Sequence, residues 1–164
     1  MRTAVGAGTL RDAVLTPAVG NPLCFRALVV EVDGPTYRAT GATVAPYPAL
    51  RTADRCGGAD AELPTAVPTP THASSPTVRW GAEWSAPRAE LVTLARTHCE
   101  VAAALRFIRV PIWNRLPDGG IALSDLRYGG GRGFADLELA ARPARCPTRV
   151  PGWVPPRQDV LGAG

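Results

Sequence analysis

Residues 105–140, LRFIRVPIWNRLPDGGIALSDLRYGGGRGFADLELA, constrain the fold of this chain more than any other stretch. Two groups of turn formers divide it. Pro117-Asp118-Gly119-Gly120 separates residues 105–115 from 121–128, and Gly129-Gly130-Gly131 separates those from 133–141. Proline presets φ and glycine admits positive φ where a chain reverses, so the spacing predicts three strands in series, an antiparallel meander. The glycines here join strands rather than open a helix, so they lack the geometry of a phosphate cradle.

A hairpin is predicted upstream. Residues 24–33 are apolar and β-branched around Leu28, Val29, Val30 and Val32. Asp33-Gly34 is a hairpin turn signal, and residues 36–45 return. Alternation places Tyr37 and Val44 on opposite faces. Residues 87–104 predict the one main helix. Pro87 suits its start and Glu90 suits the positive end of its dipole. Leu91, Leu94, Ala95, His98, Ala102 and Leu105 recur at helical spacing, which makes His98 a core histidine. Residues 78–85 predict a short helical turn with Trp80 and Trp84 four apart on one face.

The connecting segments are rich in proline. Residues 46–77 hold Pro46, Pro48, Pro64, Pro68, Pro70 and Pro76 and read as a long surface loop, with His72 in solvent. Residues 1–22 read as a lead-in. Residues 142–164 read as an extended Pro-rich tail with Trp153 as an anchor. The expected fold class is α+β: a curved antiparallel sheet of about five strands, a hairpin followed by the three-stranded meander, packed on one main helix. It forms a single domain over residues 23–141.

Charge and cysteine content narrow the function. The chain carries 18 basic and 14 acidic residues, net +4, and every basic residue is arginine. The arginines are scattered among acids with no basic run, and aromatic residues are only 6%, so specific nucleic-acid recognition is not expected. No run approaches the ~20 apolar residues that span a bilayer. The N-terminus, interrupted by Arg11 and Asp12, lacks the apolar core of a signal peptide. The cysteines, Cys24, Cys56, Cys99 and Cys146, show no C-x-x-C spacing, so a zinc ribbon or dithiol redox motif is not expected. Four cysteines allow three pairings. Cys56 and Cys146 both lie in Pro/Gly-rich loops where a staple helps, which favours a Cys56–Cys146 bridge and an oxidising compartment. Cys24 and Cys99 read as small buried apolar residues.

The candidate site residues lie in the meander. Arg106, Arg109, Asp125, Arg127 and Glu138 put charge on neighbouring strands, and Trp113 packs over the sheet or caps its edge. They form either a ligand-facing surface or cross-strand ion pairs worth about 0.2–1 kcal/mol each. A catalytic use, with His98, requires that the charged side chains share one face. No nucleophile elbow, P-loop or dinucleotide fingerprint occurs, so no catalytic and no metal-binding residue is assigned.

Four stretches together resemble a known family: Thr16-Pro17 with Asn21-Pro22-Leu23-Cys24-Phe25-Arg26-Ala27-Leu28; Pro87-Arg88-Ala89-Glu90-Leu91; Leu105-Arg106-Phe107 with Val110-Pro111-Ile112-Trp113; and Asp125-Leu126-Arg127-Tyr128 with Gly133-Phe134-Ala135. The combination is similar to the C-terminal, extramembrane half of the bacterial membrane-bound metal-dependent hydrolase-like family. Family members carry membrane helices and a His-rich motif thought to bind a divalent metal. This sequence has only His72 and His98 and lacks that motif, so the resemblance implies a cofactor held by a segment absent here. It also implies a membrane-embedded partner or N-terminal half, and an inner-membrane setting. Three functional expectations follow. The first is an accessory domain with an exposed apolar patch near residues 1–22. The second is a stand-alone module that binds a small ligand or a protein, with a pocket lined by Trp80, Trp84 or Trp113 and arginines. The third is an enzyme built on the meander.

Overall fold

The computed structural model describes residues 8–57, 72–129, 137–139 and 157–162. The fold is α+β and entirely antiparallel. Instead of one sheet of about five strands, the described residues form two sheets. The first has four strands in the order β1 (Thr9–Ala18), β2 (Asn21–Asp33), β3 (Thr36–Val44) and β4 (Val78–Pro87). The second orders β5 (Pro111–Arg115), β6 (Ile121–Asp125) and β7 (Leu137–Leu139). Between the sheets in sequence lie α1 (Arg88–Thr97) and α2 (Cys99–Ala104), and α3 (Gln158–Leu161) follows β7.

The predicted hairpin is present, with β2 paired to β3 through a turn in which Gly34 takes φ 54°. Glycine is the residue that reaches this left-handed region without strain. Tyr37 and Val44 face opposite sides, in separate apolar clusters. Two segments depart from expectation. Residues 9–18, read as part of a lead-in, form edge strand β1, paired with β2 from Thr9↔Val32 to Ala18↔Asn21. Pro17 is tolerated there because an edge strand has one side free of ladder bonds. Residues 78–87, read in part as a helical turn, form β4. Their register with β3 jumps from Thr40↔Glu83 to Ala42↔Trp80, an extra residue on β4. That bulge reverses the facing of the strand. Trp80 and Trp84 consequently lie on opposite faces, Trp84 in the main core and Trp80 in the smaller cluster with Val29 and Val44.

The single expected helix is two. His98 breaks it with extended backbone, φ −120° and ψ 110°, closing α1 through its N–H to Leu94 and opening α2 through its carbonyl. Thr93 and Thr97 donate their hydroxyls to carbonyls four residues back, a pattern that bends helices. The turn after α2 carries on to Ile108, whose N–H reaches the Ala104 carbonyl, so the strand expected from residue 105 starts only at Pro111. The strand expected over 121–128 ends at Asp125, and Leu126–Tyr128 form a 3-10 turn. The expected Gly129-Gly130-Gly131 turn, the ends of the third strand and the tail through Trp153 fall largely outside the described residues.

One core unites both sheets and the helices. Leu28, Val30, Tyr37, Trp84, Leu91, Val101, Val110, Ile112, Trp113 and Leu123 are all buried in it. At its centre Trp84 and Trp113 pack edge to face with centroids 4.6 Å apart, and Tyr37 lies 5.5 Å from Trp113. Such pairs add about 0.5–1.5 kcal/mol beyond burial and fix the orientation of both indoles.

The expected Cys56–Cys146 bridge does not form. Cys56 is bonded to Cys24, at a sequence separation of 32. Both are 2% exposed, in a cluster with Ala45 and Ala53. The cause is local: the 3-10 turn Ala53–Arg55 folds back on the sheet, with Ala53 N–H donating to the Pro76 carbonyl, and delivers Cys56 to the start of β2. Cys99, read as a small apolar residue, is also disulfide-bonded, and Cys146 lies outside the described residues.

Candidate functional site

The meander charges do not converge into one site. Asp125 is 1% exposed, and its carboxylate accepts the Arg109 N–H at 3.0 Å, the Arg127 N–H at 3.1 Å and the Arg127 guanidinium at 2.7 and 2.9 Å. The Arg109 side chain points elsewhere, gripping Asp12 of β1 through Nε and Nη2. Arg157 reaches the same Asp12 at 3.4 Å, holds Asp159 at 2.6 Å and donates to the carbonyls of Ile108 and Arg109. Glu138 is exposed and paired with Ala122, one step out of phase with Asp125 along β6, so it faces the other side of the sheet. Trp113 is buried, and its indole N–H donates to Glu90 of α1 at 3.0 Å. Arg106 is partly buried in the turn after α2.

This network ties β1, β6 and α3 together, and its carboxylates are committed to guanidinium groups. Its electrostatics follow. Hydrogen bonding to Asp125 raises the Arg127 guanidinium further above its usual value. Partial burial pushes the Asp159 carboxyl up, but the hydrogen bond and charge of Arg157 outweigh it and hold the group below its ordinary range. Burial pushes the Tyr37 phenol well above its ordinary value. Arg157 pulls it down in part, while Asp125, Asp159 and Asp12 add to the rise. Its hydroxyl has no hydrogen-bond partner.

A second charged cluster escaped sequence reasoning. His72, read as a loop histidine in solvent, is 7% exposed and meets Glu31, 1% exposed, at 2.8 Å. Its ring also stacks on Trp80 at 4.3 Å. The only signal was a carboxylate inside the apolar run Leu28-Val29-Val30-Glu31-Val32, which alternation places away from the main core. His98 is buried as expected, but its Nδ1 finds no partner.

The disulfide-pinned end of the first sheet has a different character. Val19 of the β1–β2 turn is fully exposed, and Tyr47 and Leu50 of the segment after β3 are 63% and 73% exposed. Leu15 on β1 is also exposed. The strands and turns of this end carry Arg51 and Arg55, which are exposed, Arg26 and Arg79, which are partly buried, and the acid Asp54. The Arg51 guanidinium caps the Arg55 carbonyl, and the Nε atoms of Arg26 and Arg79 have no partner.

A cavity of about 300 Å³ opens between α1 and the β5–β6 hairpin, lined by Ala89, Glu90, Thr93, Leu94, Trp113, Arg115 and Ile121. Among the described residues no group of three His, Cys, Asp or Glu side chains is placed to hold a metal ion, and no helix is long and apolar enough to cross a membrane. In comparisons with known proteins, no family model, no curated protein and no solved structure matched the chain.

Proposed function

We propose that this chain is an accessory domain that seats its disulfide-pinned end on a membrane surface, beside a membrane-embedded partner of the kind the resemblance implies. The supporting observation is the apolar end itself: Val19, Tyr47, Leu50 and Leu15 are exposed, and the strands and turns of this end also carry Arg26, Arg51, Arg55 and Arg79. The accessory-domain expectation required such a patch near the N-terminal segment. Exposed aromatic and aliphatic groups partition into the interface, and each arginine near an anionic surface adds about 1 kcal/mol. The buried Cys24–Cys56 bridge fits an oxidising compartment, which here means the outer side of the inner membrane.

The test is co-flotation with vesicles of phosphatidylglycerol and phosphatidylcholine. The chain floats with anionic vesicles, less so at high salt, and Val19→Glu with Leu50→Glu abolishes flotation. Equal recovery of both proteins with the vesicles, or no recovery of either, overturns the reading. A second reading, a stand-alone ligand-binding module, draws on the Trp113 cavity, where an arginine lines the wall as that expectation required.

A further inference from the structure

We propose that the cavity between α1 and the β5–β6 hairpin binds a small zwitterion with an apolar side chain, of the class of free aliphatic α-amino acids. Two opposite charges line this one cavity, Glu90 from α1 and Arg115 from the end of β5. They make no ion pair with each other, and the Arg115 guanidinium has no partner among the described residues. Glu90 is held in place. One carboxylate oxygen accepts the Trp113 indole N–H at 3.0 Å, and that indole is wedged against Trp84 in the core. The other oxygen accepts no hydrogen bond among the described residues.

The wall between the two charges is apolar. Ala89, Leu94, Ile121 and the Trp113 ring supply it. The Thr93 hydroxyl is spent on the Ala89 carbonyl at 2.8 Å, so Thr93 adds little polarity. A purely apolar ligand leaves both charges facing it without a counter-charge. A ligand of one sign satisfies one and faces a like charge at the other. A zwitterion satisfies both, its ammonium on Glu90 and its carboxylate on Arg115, while its side chain fills the space against Leu94 and Ile121. The volume of about 300 Å³ stands at the lower limit of small-molecule sites and favours a ligand of this size.

This inference sharpens the binding-module reading and does not depend on membrane docking. The experiment is an NMR titration of ¹⁵N-labelled protein that follows the Trp113 indole N–H. The probes are L-leucine, N-acetyl-L-leucine and L-leucinamide. L-Leucine is expected to shift the indole resonance saturably at millimolar concentration. The two derivatives, each lacking one charge, bind about tenfold or more weakly, the worth of one charge-assisted hydrogen bond. Glu90→Gln keeps a carbonyl acceptor for the indole but removes the discrimination against N-acetyl-L-leucine. Arg115→Gln, at an exposed position, removes the discrimination against L-leucinamide. No shift with L-leucine, or equal shifts with all three probes, overturns the proposal, and Arg115→Gln alone decides if Glu90→Gln fails to fold. A saturable shift in a protein that does not float leaves this inference standing, and flotation without a shift removes only this inference.

Discussion

The two ends of the four-stranded sheet use arginine in opposite ways. Toward the β2–β3 hairpin, Arg38 pairs with Asp33 and Glu83, and Arg109 and Arg157 close on Asp12. These guanidinium groups are fasteners, joining elements distant in sequence. At the other end Arg26, Arg51, Arg55 and Arg79 make no ion pair among the described residues, and Val19, Tyr47 and Leu50 are exposed on the strands and turns of the same end. Charges that only confer solubility need no apolar neighbours, and charges that hold a fold need partners. Arginine outside a direct ion pair, on the same end as exposed apolar side chains, is the combination suited to an anionic interface. The difference teaches that net charge, +4 for the whole chain, says less about partners than where the unpaired share of it lies.

The comparison breaks most sharply if the docking end loses its frame. Replacing Cys24 and Cys56 together by Ala removes a cross-link across 32 residues and is expected to cost about 3–4 kcal/mol in chemical denaturation. Vesicle binding falls with it, because Tyr47 and Leu50 lose their fixed placement. A slightly smaller loss, about 3 kcal/mol, is expected for Asp125→Ala at the fastened end, since it strands the partly buried donors of Arg109 and Arg127. Vesicle binding by the folded fraction should stay unchanged.

Acid tests the fastened end without mutation. Asp159 has a folded value below its ordinary one, so its contribution is present above the unfolded value of about 3.9 and is lost as pH falls through the folded value. Stability followed by circular dichroism should drop below about pH 4, with the α3 contacts among the losses. Alkali tests the core beside the same network. The Tyr37 value is raised, so its contribution is full below about 10 and declines as pH rises from there. Ultraviolet titration should find one of the three tyrosines ionising only with unfolding. The smallest stability effect belongs to Val19→Glu, within about 0.5 kcal/mol, because the side chain is already exposed.

The β2–β3 hairpin and the start of α1 were legible because Asp33-Gly34 and Pro87 act locally. Strand β1 was not legible: Thr9–Ala18 mixes Arg11, Asp12 and Pro17 into an apolar segment, and its pairing with β2 is what makes it a strand. Strand β4 misled because Trp80 and Trp84 stand four apart, the spacing of a helix face, while a bulge sends them to opposite faces. At the candidate sites, Asp125 and Arg127 were legible as a charged pair two residues apart. The Glu31–His72 contact spans 41 residues, and the Glu90–Arg115 cavity joins a helix to a hairpin. No local pattern encodes either, since both arise only once the sheets share a core.

The most direct test of the docking claim is amide hydrogen exchange with and without phosphatidylglycerol vesicles. The account predicts added protection confined to residues 17–21 and 46–52, with none around Asp125 to Gly129. Protection centred on the Asp12–Arg109–Arg157 network, or no protection anywhere, would contradict it.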